Sequence, residues 1–453
     1  AAARMLKFGV FAALVVLTTA VPAVVPNSRL ALTPPMGWMS WEVFRCDIDC
    51  KADPTMCVSE DLYKQMADHL AADGFLEAGY KTVSIDDCWE QKDPKRTATG
   101  ELTPNSTRFP SGFKALGDYM HSKGVSFGIY SDEGTSTCGG YPGSKGYEKV
   151  DAATFAAWGV DYLKLDGCNN DQQGYVTGYP AMGHALQSSG RDIVYSCSWP
   201  AYLGDNETAK PWDEMIAAGC NLWRNWHDIQ GNWGSLVSII DHFGNYSATL
   251  QRAAGPTGPY GGHWNDMDML LIGQHEGGGL PGVTLEEGKT QFAVWSMLAA
   301  PLIMGNDLRN MSAEAKAVLL NKEVIAVDQD PKGIQGMRVS PFGDQEVWAR
   351  ELDAGAMAVL LLNKGDMTAK ITATLEEIGW TGAEPNGRDL FNHRDLGKVT
   401  RYAGSAVWEH CVYDYVCGIL HVLALSLPCR SLSACVCFLS LCVSVGLSIC
   451  LCF

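Results

Sequence analysis

Between residues 31 and 330, apolar runs of strand length alternate with segments whose apolar positions recur at helical spacing. The runs are Met36–Trp41, Thr82–Trp89, Ser126–Asp132, Val160–Gly167, Asp192–Trp199, Leu222–Asp228, His263–Leu270 and Ala300–Asp307. Near-continuous apolar character marks strands covered on both faces, as in parallel sheet. The segments between them are long enough for crossover helices. After Ser59, for example, Leu62, Met66 and Leu70 fall on one helical face, and Gly74 supplies a stop. Eight such strands predict a (β/α)8 TIM barrel over residues 24–332, with its chemistry on the loops at the strand C-terminal ends.

From about residue 338 the pattern changes. Glu346–Leu352, Ala356–Lys364 and Lys370–Glu376 read as strands joined by short polar turns. They predict a small antiparallel β-sandwich domain over 333–410, divided from the barrel at Pro331-Lys332-Gly333 and stopping short of its last strands. Residues 411–453 form a hydrophobic, Cys-rich tail whose last part, Ser431–Phe453, carries no charge. By length that part fits a membrane span or a removed anchor signal. Its monotony of Cys, Ser and Leu, without aromatic or basic flanks, favours sequence that is not native coding sequence. A membrane partner is expected only if the tail is native. At the other end, Arg4 and Lys7 precede an apolar run from Phe8 to Leu17 and small-residue cleavage sites up to Ala23, so residues 1–23 read as a signal peptide. Ala1–Arg4 precede a plausible start at Met5.

The 453 residues are 47% hydrophobic and 19% charged, which excludes a disordered chain. A net charge of −17 argues against nucleic acid, since phosphate binding needs basic patches. Of 16 cysteines, eight lie between Cys46 and Cys220 and eight between Cys411 and Cys452. An even set inside an exported region favours disulfides over a metal site, because Cys46, Cys50 and Cys57 lack paired metal-ligand spacing and no His cluster accompanies them. Sequons at Asn105, Asn206, Asn245 and Asn310 add to the export case. The expected location is the secretory pathway, ending in a lysosome or vacuole or outside the cell. No metal or cofactor is expected.

Two runs end abruptly in a carboxylate: Leu163–Cys168, which contains Asp166, and Trp223–Asp228. Six of the eight predicted strands carry Asp at or near their C-terminal ends. A single such Asp is readily explained as a cap of the following helix. Six at the catalytic end of one barrel point to paired-carboxylate chemistry, the equipment of glycoside hydrolysis.

Six motifs occur in order: Met36–Glu42, Ile85-Asp86-Asp87-Cys88-Trp89, Gly128–Asp132, Leu163–Cys168, Cys197–Tyr202 and Trp223–Asp228. With them the chain resembles glycoside hydrolase family 27, the α-galactosidases and α-N-acetylgalactosaminidases. The resemblance runs from about Leu30 to Gly336, through Trp264–Met269 and Ala299–Met304, weakens in the β domain and is absent from the tail. It implies a retaining exo-glycosidase with Asp166 as nucleophile and Asp228 as acid/base. It places Trp41, Asp86, Asp87, Tyr130, Lys164, Tyr202 and Arg224 around the sugar, with Asp86 and Asp87 on its hydroxyls. For Lys164 or Arg224 alone, a structural ion pair would be an equal reading. It also implies the disulfides Cys46–Cys88, Cys50–Cys57, Cys138–Cys168 and Cys197–Cys220, the third forming a pocket wall beside the nucleophile.

Ser198 and Ala201 stand where α-galactosidases typically carry Glu and Leu, whereas the α-N-acetylgalactosaminidase branch has this small pair. The resemblance therefore implies room for a 2-acetamido group, with α-linked N-acetylgalactosamine (GalNAc) preferred and α-galactose cleaved more weakly. A missing apolar contact rejects the smaller sugar by only about 1–3 kcal/mol. The alternatives are an α-galactosidase proper and a carbohydrate-binding protein without turnover. The expected partner is an oligosaccharide or glycoconjugate. Family members are often dimers, although nothing in this pattern marks an interface. Two features depart from the family: Met267 stands where Pro is common, and the loop from Gly273 to Gly282 is unusually long and Gly-rich.

Overall fold

The structure, a computed structural model, describes residues 29–274, 282–365, 367 and 369–399, together with the backbone of 420–426. The expected signal peptide, most of the Gly273–Gly282 loop and all but seven residues of the tail lie outside the described residues.

Eight parallel strands follow the predicted order: β1 (Met36–Met39), β2 (Thr82–Ser84), β3 (Ser126–Asp132), β4 (Tyr162–Asp166), β5 (Val194–Cys197), β6 (Leu222–Arg224), β7 (Trp264–Asp266) and β8 (Leu302–Met304). Their order in the sheet is β7-β6-β5-β4-β3-β2-β1-β8. Closure comes four residues beyond β7: the Leu270 N–H donates to the Ile303 carbonyl (2.7 Å), and the Gly305 N–H donates to the Leu270 carbonyl (2.9 Å). The turn Met267–Met269 therefore sits between the end of β7 and the closing bridge. It holds Asp268 at a φ of 81°, a conformation that L-residues adopt only when their surroundings enforce it.

Helices occupy the crossovers. Glu60–Ala72 starts where Ser59 accepts from the Leu62 N–H (3.4 Å), and it buries Leu62, Met66 and Leu70. Gly74, with φ 94°, redirects the chain just past its end. The aromatic side chains Trp38, Tyr63, Trp89, Phe109, Phe113 and Phe127 pack edge-to-face, tilted and stacked in the core beside β1–β3. That packing fixes the strand ends from which the pocket is built.

A six-stranded antiparallel sheet follows, ordered β13-β12-β14-β11-β10-β9. Its strands are β9 (Met337–Arg338), β10 (Gln345–Glu351), β11 (Met357–Asn363), β12 (Asn386–Asp389), β13 (Arg394–Lys398) and β14 (Leu420–Ser426). The expected strand Lys370–Glu376 does not form. Thr374 instead starts a turn, donating its N–H to Glu377 Oε2 (2.7 Å) while its Oγ1 accepts from the Glu377 N–H (3.1 Å). This reciprocal bonding competes with a ladder, and Ala373 and Leu375 reach the sheet's core from the turn. Strand β14 falls inside the stretch assigned to the tail and occupies the sheet between β12 and β11. Arg350 on β10 locks this domain to the barrel. Its buried guanidinium donates to the carbonyls of Ser296 (2.5 Å), Ile334 (2.8 Å) and Asp328 (3.3 Å).

Candidate active site

Each residue expected at the sugar site lies at a strand C-terminal end or on the loop that follows. Register places Tyr130 beside Lys164 and Asp132 beside Asp166 on β3 and β4. The Asp166 carboxylate is oriented from three sides. Tyr202 Oη (2.8 Å) and the Gly167 N–H (2.9 Å) donate to Oδ1, and Tyr130 Oη donates to Oδ2 (3.2 Å). Burial, and next the charge of Asp166, hold both phenols well above the usual tyrosine range, so both remain donors. Cys138 Sγ lies 3.6 Å from Asp166 Oδ2 and is bonded to Cys168. The other three disulfides join Cys46 to Cys88, Cys50 to Cys57 and Cys197 to Cys220. Asp132, Cys138 and Cys168 cluster as a metal site would, but both sulfurs are committed to the disulfide and cannot act as thiolate ligands.

Lys164 does not touch Asp166 directly. Its Nζ pairs with Asp86 Oδ2 at 2.8 Å and lies 5.2 Å from the Tyr130 ring. Burial opposes its charge, but Asp86 and Asp166 outweigh burial and raise its pKa. Asp86 and Asp87 are buried beside Ser40, whose Oγ accepts from the Asp86 N–H (3.1 Å). Asp87 accepts from the N–H groups of Cys88 and Gly139, each at 2.6 Å. A Cβ on Gly139 would stand 2.9 Å from Asp87 Oδ2, so a residue without a side chain is needed there.

At and beyond the end of β6, Arg224 is buried and Asp228 is exposed (76%). Arg224 Nη2 pairs with Asp228 Oδ1 at 3.0 Å and with Asp268 Oδ2 at 2.9 Å. Arg224 holds the Asp228 carboxyl below the usual carboxylate range, with help from Lys164. The Lys164 ammonium thus acts on both Asp166 and Asp228.

Trp41 follows β1, half-buried, with the Arg45 guanidinium 5.2 Å from its ring centroid. Ser198, Ala201 and Tyr202 belong to the 3-10 turn Trp199–Leu203 after β5, with Ser198 as its N-cap. Positions three apart eclipse one another in such a turn, so Ser198 and Ala201 share an edge while Tyr202 reaches Asp166.

Sequence reasoning missed several contributors. Asp268 braces Arg224 and also accepts from the Ile229 N–H (2.9 Å), tying the β7 turn to the loop that bears Asp228. It lies in a quoted motif, but its role depends on the positive-φ turn. Asp132 accepts from the N–H groups of Gly134 (2.6 Å) and Cys168 (3.0 Å) beneath the disulfide. Burial, and then Asp166, push its carboxyl up to about 8. Glu42, paired with Arg45 at 3.1 Å, is pushed up to about 7 by burial and Asp268. Asp266 is pushed up to about 6 by burial. These carboxyls hold their protons at acidic pH, which limits the negative charge packed around Arg224 and Lys164.

Of the four sequons, Asn206, Asn245 and Asn310 are exposed and Asn105 is half-buried. Among the described residues, no helix is long and apolar enough to cross a membrane.

A family model described as alpha galactosidase A matches residues 33–330, and one for the alpha galactosidase C-terminal beta sandwich domain matches 342–410. The chain is 46% identical to an α-N-acetylgalactosaminidase of Gallus gallus over 81% of its own length and 88% of the relative's. It is 44% identical to α-galactosidase A of Homo sapiens, over 75% and 76% of the two chains. The crystal structure of α-galactosidase I from Mortierella vinacea superposes with a TM-score of 0.73 at 31% identity, covering 88% of this chain and 98% of that one. These matches span the barrel that carries the carboxylates and the sheet behind it, and the chain belongs to glycoside hydrolase family 27.

Proposed function

We propose that this protein is a retaining exo-α-N-acetylgalactosaminidase that also cleaves terminal α-galactose more slowly. The observation that carries this reading is the pair of carboxylates at the C-terminal end of β4 and just beyond that of β6. Asp166 is fixed by two phenols and a backbone N–H, and Asp228 is exposed and bound to Arg224. Asp166 attacks the anomeric carbon, and the glycosidic oxygen leaves with the proton of Asp228. Asp228 then takes a proton from the water that releases the sugar from Asp166. Asp86, Asp87 and Lys164 hold the sugar hydroxyls, and Trp41, Tyr130 and the Cys138–Cys168 bridge wall the pocket.

The small side chains of Ser198 and Ala201 support the GalNAc preference, as do relatives such as the α-N-acetylgalactosaminidases of Gallus gallus and Homo sapiens. Ser198 would bond the acetamide and Ala201 would pack on its methyl. The substrates are oligosaccharides or glycoconjugates ending in α-GalNAc. The four disulfides and the sequons fit a secretory route to a lysosome, a vacuole or the outside of the cell. A homodimer remains part of this proposal on family grounds alone.

The test is initial rates of the full chain on chromogenic α-GalNAc and α-Gal substrates. The expected result is a higher kcat/KM for α-GalNAc, reversed by Ser198→Glu with Ala201→Leu. The reversal is expected to be about 10- to 200-fold in the ratio of the two rates. An unchanged preference in the double variant sinks the pocket account.

A further inference from the structure

The aromatic pair before Asp228 has no part in the chemistry above. Trp226 lies parallel to His242 (4.3 Å between centroids, 4° between planes) and to His227 (4.3 Å, 10°). His242 is fixed from below. Its Nε2 is 2.7 Å from Glu207 Oε1, which also pairs with Lys210 Nζ at 2.7 Å, and Lys210 donates to the Asn225 carbonyl (2.6 Å). Glu207, Lys210 and His242 are all buried. At the rim, Asp205 Oδ1 accepts from Trp226 Nε1 (2.9 Å) and lies 3.4 Å from His227 Nε2. The His227 ring is thus set on a fixed base, yet its side chain is 67% exposed.

Its position suits a leaving group. His227 immediately precedes Asp228. Asp205 lies three residues after Tyr202, which donates to Asp166. The His227–Asp205 pair therefore bridges the loops that carry the expected acid/base and the nucleophile's phenol donor. A glycosidic oxygen within hydrogen-bonding reach of Asp228 puts the departing group over this rim.

We infer that His227 is the platform of a leaving-group subsite, taking the apolar face of the second sugar ring by stacking while Trp226 and Asp205 hold the imidazole in place. The inference rests on the proposed glycosidase function and on Asp228 as the acid/base.

The experiment compares the wild type, His227→Ala and His227→Phe on two substrates. One is α-GalNAc fluoride, whose leaving group has no ring. The other is a disaccharide ending in α-GalNAc. His227→Ala is expected to lower kcat/KM on the disaccharide about three- to tenfold, mainly through KM, which is the scale of one aromatic contact. Turnover of the fluoride stays unchanged and serves as the control for folding, and His227→Phe restores the disaccharide rate. Equal losses on both substrates, no loss on the disaccharide, or failure of Phe to restore it would overturn the subsite. A wild type that hydrolyses neither substrate overturns the proposed function, and the subsite with it.

Discussion

Asp166→Asn is expected to lower kcat on α-GalNAc substrates by ~10⁴-fold or more while free GalNAc still binds. The carboxylate has two separable jobs. Its charge and lone pair form the bond to the anomeric carbon, and its oxygens accept from Tyr202, Gly167 and Tyr130. Asparagine keeps the shape and one accepting oxygen but cannot form a stable glycosyl ester. The groups that hold the sugar hydroxyls, Asp86, Asp87 and Lys164, are untouched. Rates on a chromogenic substrate, paired with calorimetric titration of GalNAc, separate the two jobs. Loss of both turnover and binding would make Asp166 a structural residue, and retained turnover would remove it from the chemistry.

Asp228→Asn should divide substrates by their leaving groups. Glycosides that need a proton on the departing oxygen should lose about 10²- to 10⁴-fold, whereas α-GalNAc fluoride, whose leaving group needs little help, should lose far less. The pH dependence has a definite sign. The acid must carry a proton, and Arg224 at 3.0 Å favours the ionised form, so the proton is retained only at acidic pH. Wild-type kcat/KM on a sugar glycoside is therefore highest at acidic pH and falls as pH rises through the lowered pKa of Asp228. In Asp228→Asn that limb disappears. Profiles over about pH 2–6, which span a carboxyl held below its usual value of about 3.9, decide the matter. A basic limb that persists unchanged in the variant would assign the proton to another group, with Glu42, pushed up to about 7, the first to examine.

The barrel was legible because its strands are buried on both faces and read as apolar runs at regular spacing. All eight formed within the predicted spans, although each is shorter than its run except Ser126–Asp132. The residues expected at the sugar were picked out by motifs, and the structure brings Tyr130 and Tyr202 onto Asp166 and Lys164 onto Asp86. What motifs could not show is how the side chains are divided into pairs. Lys164 reaches Asp86 rather than Asp166, and Arg224 is shared between Asp228 and Asp268. Those pairings depend on loop geometry, such as the positive φ of Asp268, which leaves no periodic trace. The β domain was less legible for a related reason. Thr374 looks like a strand residue until its side chain bonds Glu377, and Leu420–Ser426 shares its composition with the apolar tail around it. Because β14 joins β12 to β11, truncation before Cys411 would leave the β12–β13 hairpin without its neighbour in the sheet. Activity measurements therefore belong on the full chain.

The central claim is a covalent intermediate on Asp166, formed and broken on the same face of the sugar. Proton NMR during the first minutes of hydrolysis of an α-GalNAc glycoside tests it most directly. The account predicts that α-GalNAc appears first and the β anomer only later, by mutarotation. Initial release of β-GalNAc would mean a single displacement by water, and would contradict the role given to Asp166.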